Sequence, residues 1–489
     1  MKGPTNILNI GQSGLFSSQK KLTTTAHNMA NVNTEGFSRQ RASQQATDPY
    51  NYGKIILGSG TKVARVERLH DKYLEKNLGN SITDHQFYKE RDFQLEQIEE
   101  IFNEIKSPGF NNLLSKFFNS FRELSMRPDD KAIRSVVREN AKQLINNLKN
   151  VKIALNRLQF NMDERILNAV YDINLLTHQI GKLNVKIANF ESEGGETGDL
   201  RDQRDSKIRE LSKFLNIRVY EDNHERYSIN ADGIGSLVAG GHVQELVAQK
   251  SSDSDAHIPG GVEIYLQKNT TLSLSNKLSK GSLRAIFDSR NNELKFMQNH
   301  VDELTYGLAR SVNSIHRMGF ANKEFSNVDN EIQRGIASSE KVTGIDFFNL
   351  PPQQYRASET IDLSDEVKED LKNIVSAWEP NSPGDNRIAI AIANLQNEKM
   401  FDENTSNIQD FYLKAIGRIG VKAKAARVNN EHSFGILSQN KALKERVSGV
   451  SLDEETANMI RFQHAFDASA RVMSVADEMF KTVLGIKKL

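Results

Sequence analysis

The two ends of this chain carry matching helical seams, and no other feature constrains its fold as tightly. Near the C-terminus, Met459, Phe462, Phe466, Ser469, Met473, Ala476, Phe480 and Val483 recur at alternating spacings of three and four. Near the N-terminus, Leu8, Gly11, Leu15, Ser18, Leu22, Thr25 and Met29 do the same. Residues spaced this way line one face of a helix that seeks another helix, as in a coiled coil. Chain ends are more often frayed and polar. Periodicity alone fits an intramolecular bundle as well as a seam between subunits. The N-terminal seam alternates large Leu with small Gly, Ser and Thr, which gains little from burial in a monomer and suits close neighbours in an assembly.

Of the 489 residues, 38% are hydrophobic and 26% charged, and the mean hydropathy is −0.55, as in a soluble chain large enough for several domains. Nine prolines leave room for long helices. The net charge of +1 gives no global field to draw nucleic acid or an anionic membrane. The absence of cysteine excludes disulfides, thiolate catalysis and zinc–thiolate sites. The first residues lack the apolar core and cleavage site of a secretory signal. No apolar run approaches the roughly 20 residues of a membrane span.

The periodicities predict a helix over 5–32, a turn at Asn31–Gly36, and two short strands around Gly58-Ser59-Gly60. Helical pattern then runs from Leu69 to Lys106, through a stripe of Leu113, Leu114, Phe117, Phe118, Phe121 and Leu124, and over a stretch from Asp130 to Phe190. As one helix that stretch would span about 90 Å, a length that suits rod-like assemblies. Its stripe reads Val136, Leu144, Leu148, Val151, Leu155, Leu158, Ile166, Val170, Ile173, Ile180 and Ile187. A helix at 199–215 precedes a β-rich stretch at 217–290, where IRVY, YSIN, LVAGG, VEIYL and TLSLS alternate with turn residues. Residues 249–261 read as an exposed loop, Asn291–Met318 as helix, and 319–384 as mixed. Helix returns from Arg387.

The fold class expected is mainly α with an inserted β-rich domain, the N- and C-terminal helices forming discontinuous, coiled-coil-like bundle domains. Three divisions follow: 1–45 with 448–489 as a terminal helical domain, 46–200 with 385–447 as a long-helix bundle, and 201–384 as an inserted α+β domain.

The chain offers no catalytic, cofactor or metal constellation. HExxH, GxSxG and a Walker-type loop are all missing. Gly233, Gly235 and Gly240 read as turn glycines. Asp199, Asp202 and Asp205 in GDLRDQRD could hold a hard cation, but the interleaved Arg201 and Arg204 favour ion pairing. Glu96, Glu99, Glu100 and Glu104 read as a solvated face, and Trp378 as a packing residue.

NMANVNTEGFSRQ, 28–40, resembles the N-terminal signature shared by flagellar rod, hook and hook-associated proteins, and 448–484 resembles their C-terminal module. Internal segments are similar to the hook-associated protein 1 family: GSGTKVARVERLHDKYL (58–74), FFNSFRELSMRPDDKAIRSVV (117–137), GDLRDQRD (198–205), GSLRAIFDSRN (281–291), SVNSIHRMGF (311–320) and GDNRIAIAIANLQN (384–397).

The resemblance implies a non-enzymatic subunit of the bacterial flagellum, exported without a cleaved signal peptide through the flagellar type III channel. It would assemble as a helical ring layer at the distal hook end and join hook to filament. The partners implied are further copies of the chain, the hook protein, the second junction protein (hook-associated protein 3) and a cytoplasmic export chaperone on the C-terminal helix. Leu8, Leu15, Leu22 and Met29 would face Met459, Phe462, Phe466, Met473 and Phe480 and line the assembly interface. Asn28, Asn31, Thr34, Gly36 and Phe37 would fix the turn out of the first helix, for which capping and turn-making are a sufficient role. The alternatives are another flagellar axial protein, such as hook or a flagellin-like junction subunit, a membrane-active secreted protein, and an enzyme on an axial scaffold.

Overall fold

The computed structural model describes residues 3–52, 55–103, 109–222, 226–251, 261–324 and 341–486. Helix α1 (Gly3–Ala30) leads into β1 (Gln40–Ala46), β2 (Tyr50–Tyr52), β3 (Ile55–Leu57) and β4 (Thr61–Arg68). Helices α2 (Lys72–Ile101), α3 (Phe110–Met126), α4 (Lys131–Ser192) and α5 (Gly198–Ser212) follow. Six strands come next: β5 (Ile217–Glu221), β6 (Tyr227–Ala231), β7 (Gly235–Ala239), β8 (His242–Val243), β9 (Leu246–Lys250) and β10 (Val262–Leu266). The chain then forms α6 (Ser282–Asp288), α7 (Lys295–His316), β11 (Phe348–Asn349), α8 (Ala357–Thr360), β12 (Asp362–Leu363), α9 (Asp365–Glu369) and α10 (Arg387–Asn394). The two last helices are α11 (Ile408–Ser448) and α12 (Leu452–Ile486).

The long helices start where the sequence supplies a cap. Asp71 accepts hydrogen bonds from the amides of Tyr73 and Leu74 at 2.8 and 3.1 Å, and Asp130 accepts from Ala132 at 2.8 Å. With Pro128 just upstream, Asp130 opens α4, which runs unbroken for 62 residues. Its buried face begins at Ile133 and Val137; Val136, expected in the stripe, is 45% exposed. The one-residue offset follows from the helical pitch, which turns Val136 about 100° from its neighbour.

Around α4 sits one continuous apolar core, from Leu95 and Ile98 of α2 through α3, α7 and α10 to Ala426 of α11. Phe117, Phe121, Phe347 and Phe348 meet at its centre, with ring centroids 4.8–6.0 Å apart. His316 lies against them, fully buried, its Nδ1 2.7 Å from the carbonyl of Ile345 and its Nε2 accepting the Val375 amide at 2.9 Å.

Strands β5 to β8 form an antiparallel meander, and β9 pairs with β10. Gly233 and Gly240 occupy turns and Gly235 opens β7, with φ of 80°, 59° and 107°. The expected strand at TLSLS does not form. Leu274 instead donates to the carbonyl of Ile264 at 2.8 Å, Ser275 Oγ accepts the Ile264 amide at 3.1 Å, and Ser275–Lys277 is a short 3-10 turn. One backbone amide and one serine hydroxyl thus satisfy the edge of β10 at Ile264 in place of a further ladder. Strand β4 pairs with β1, in a register broken once at Ser43/Gln44 by a bulge. Trp378 does not pack into the core; its side chain is 47% exposed, and it is its backbone amide that is held, by Asp385 at 2.7 Å. Glu96, Glu99 and Glu100 are exposed on α2, while Glu104 and most of the 249–261 loop fall outside the described residues. No helix among the described residues is long and apolar enough to cross a membrane.

Candidate functional site

Helices α1 and α12 pack antiparallel. A Cβ placed at Gly11 would lie 2.9 Å from Met473 Cγ and 3.2 Å from the Met473 backbone nitrogen, and one at Gly14 would lie 2.7 Å from Ser469 Oγ. The small residues of the N-terminal seam therefore let the two backbones approach closely. Farther along, the Lys21 ammonium sits 5.2 Å from the centre of the Phe462 ring. At the far end Asn28 Nδ2 lies 3.3 Å from Glu455 Oε2.

Leu15, Leu22, Met29, Met459, Phe462, Phe466 and Met473 are half-buried along this pair, whereas Leu8 and Phe480 remain 37% and 38% exposed. Of the seam, only Ala476 and the small residues Gly11, Ser18 and Thr25 are fully buried. The side chain of Val483 is outside the described residues. Two helices alone cannot close off side chains of this size, so the seam keeps a partly apolar outer rim.

The turn after α1 is built from the signature residues. Asn28 is buried and exchanges two hydrogen bonds with Gln40, Nδ2 to its carbonyl at 2.8 Å and Oδ1 from its amide at 2.9 Å. Asn31 Nδ2 donates to the His27 carbonyl at 3.0 Å, and Thr34 Oγ1 donates to Asn31 Oδ1 at 3.1 Å. Gly36 turns the chain at φ 84°, and Phe37 packs edge-on against His27, centroids 5.4 Å apart.

The turn is anchored on both sides. Arg39 pairs with Glu455 at 2.7 Å and Glu454 at 2.5 Å, tying the turn to the first turns of α12. On the other side the acidic residues of GDLRDQRD receive it. Asp202 accepts from the Ser38 amide at 2.7 Å and from Ser38 Oγ at 2.8 Å, Arg68 bridges Asp202 and Asp205 at 2.9 and 2.6 Å, and Asp199 accepts from Gln40 at 2.7 Å.

Ion pairing, the expected use of this acidic segment, is what Asp202 and Asp205 make with Arg68. Arg201 reaches Glu191 at 2.7 Å, and the Arg204 guanidinium lies 3.4 Å from the centre of the Tyr227 ring and donates to Asn184 at 3.1 Å. Burial pushes the Asp202 carboxyl above its ordinary value, opposed by hydrogen bonds from Ser38 and the charge of Arg68. Burial also works against the Arg68 charge, but Asp205 and Asp202 outweigh it and hold its pKa above the ordinary arginine value. Among the described residues no group of three His, Asp or Glu side chains is placed to hold a metal.

Nothing in the periodicity singled out Arg68, Ser38 or Glu455. Their one sequence signal is position: each belongs to, or borders, a segment quoted above for its resemblance.

Three families match along the chain: "Flagella basal body rod protein" at 8–37, "Flagellar hook-associated protein FlgK helical domain" at 95–329, and "Flagellar basal body rod FlgEFG protein C-terminal" at 445–486. The flagellar hook-associated protein 1 of Bacillus subtilis is 28% identical, over 98% of this chain and 97% of its own. That of Salmonella typhimurium is 23% identical, over 99% of this chain and 100% of its own. The solved structure of the flagellar hook junction protein FlgK from Burkholderia pseudomallei shares the fold, with a TM-score of 0.63 at 14% identity over 76% of this chain and 100% of that one. With its two rod-type termini packed on each other around a hook-associated helical core, the chain belongs to the flagellar hook-associated protein 1 family and is a structural component of the flagellum.

Proposed function

We propose that the chain joins hook to filament as one subunit of a helical ring layer, and that the α1–α12 pair is its assembly interface. The observation that carries this is the half-exposed seam: Leu8, Leu15, Leu22 and Met29 with Met459, Phe462, Phe466, Met473 and Phe480 form a continuous apolar rim that two helices leave partly open. Neighbouring copies close it. Asn28, Asn31, Thr34, Gly36 and Phe37 set the angle at which the pair leaves the rest of the chain.

The division into a terminal module (1–45 with 448–489), a long-helix bundle (46–200 with 385–447) and an inserted α+β unit (201–384) fits this use, with the terminal module forming the inner tube. Direct partners would be the hook protein below and the second junction protein above. A chain without cysteine passes an export channel extended, with no crosslink to reduce. A cytoplasmic chaperone on α12 would keep its apolar face from premature contact, and the assembled protein would lie outside the cell.

Phe466→Asp tests the interface. It is expected to abolish filament growth while leaving the thermal unfolding of the core around α4 unchanged. Normal filament growth would refute the reading. Cells lacking the gene should show hooks without filaments, with flagellin lost to the medium.

A further inference from the structure

The β1–β4 ladder continues past Gly60 into a ribbon that none of the described residues covers. Thr47 donates to the carbonyl of Gly60 at 3.0 Å, and β2 then pairs with β3, Asn51 opposite Ile56. Ile55, Ile56 and Leu57 are 61%, 69% and 38% exposed. Successive strand residues point to opposite sides, so this run makes both faces of the ribbon apolar. A lone two-stranded hairpin is marginal in water, and an exposed apolar strand is a ready template for contact with another chain.

The position of the ribbon identifies its occupant. β1 and β4 run along α1 from Asn28, which holds Gln40, to Ser13, whose Oγ accepts the Thr61 amide at 3.2 Å. Gly60 lies against Ile10 and Ser13, on the same turn of α1 as Gly11, which abuts Met473. Beyond that level α12 carries Val472, Val475 and Met479, exposed by 40%, 51% and 48%. Their spacing of three and four places them on one face, turned away from the seam of Phe466, Met473 and Phe480. The terminal module thus presents an apolar ribbon and an apolar helix face at the same level, both uncovered among the described residues. A foreign partner on one would leave the other in water. A second copy seated on the first covers both at once, because a contact between two different patches repeats from copy to copy and closes into a ring or extends as a helix.

We infer that the β2–β3 ribbon of one copy docks through its Ile56 side onto the Val472–Val475–Met479 face of α12 in the next copy. This rests on the reading that copies of the chain assemble side by side.

The cysteine-free chain makes the test direct. The full-length double variant Ile56→Cys with Val475→Cys replaces the native chain in cells, and isolated flagella are oxidised. A ladder of covalent multimers is expected from the double variant and from neither single variant. A ladder from Ile56→Cys alone, a product joined to a different chain, a crosslink closed within one copy, or assembled flagella with no ladder each overturn the proposal.

A second measurement holds if the cysteines prevent assembly. Replacing Ile56 with serine should leave thermal unfolding unchanged and cut filaments per cell about tenfold, the effect of losing one well-packed contact per interface. Undiminished filament number overturns the docking. The two levels separate cleanly: filaments on cells lacking the gene would remove the junction role itself, whereas full complementation by the serine variant removes only the ribbon contact.

Discussion

Asn28 and Gln40 face each other as two residues of a β-bridge would, the side-chain amide of one taking both backbone groups of the other at 2.8 and 2.9 Å. Truncation to alanine leaves a buried amide and carbonyl without partners. Asn28→Ala is therefore expected to cost about 2 kcal/mol, and Asn28→Asp more, since a carboxylate would face both the Gln40 carbonyl and Glu455. Limited proteolysis of the full chain checks this: cleavage between α1 and β1 should accelerate, with the core unaffected.

The same device recurs three times. Asn174 takes both backbone groups of Leu246, Asn184 those of Tyr227, and Asn313 those of Phe348. Each asparagine sits on or near the buried side of a long helix and docks a strand. This explains what the sequence did and did not disclose. Periodicity located α1, α4, α7 and α12 because apolar spacing is a local property, repeated every turn. The clamps join residues remote in sequence, and an asparagine in a helix otherwise reads as a weak helix former. GDLRDQRD shows its own arginines for a related reason, but not Arg68, which bridges Asp202 and Asp205 from more than a hundred residues away.

Arg68 gives the second prediction. It is almost fully buried between Asp202 and Asp205, so its loss strands two carboxylates. Arg68→Met should destabilise the chain by about 3–5 kcal/mol, read as a lower urea midpoint. Adding Asp205→Asn should recover part of that loss, because it removes one of the stranded charges.

His316 gives a pH dependence of defined sign. Burial lowers its pKa from 6.5 to about 4. Above pH 6.5 neither the folded nor the unfolded ring is protonated, and the full stability is present. As pH falls from 6.5 toward 4, the unfolded chain binds a proton that the folded ring refuses, and stability drops by up to about 3 kcal/mol. His316→Gln, which keeps one donor and one acceptor, should flatten this part of the curve. Urea midpoints of both proteins at pH 7 and pH 4.5 provide the comparison.

At Gly11 the predicted effect is on assembly. A branched side chain there meets the Met473 backbone nitrogen, which cannot move without shifting α12. Gly11→Val should push the helices apart and leave hooks bare, while the circular dichroism melt of the α4 core stays within a degree or two of the unmodified chain. Filaments of normal number on cells carrying this variant would count against the close approach.

The antiparallel arrangement of α1 and α12 also orders events in time. Asn28 and Glu455 touch although 427 positions separate them. Closing so long a loop yields nothing until its final helix is present, whereas the contacts of α3 with α4 are local and available early. The pair therefore works as a completeness check on each molecule. A chain interrupted between Ala426 and α12 still holds every residue of its core, yet has no mate for its first helix and cannot take a place in the structure it was made for.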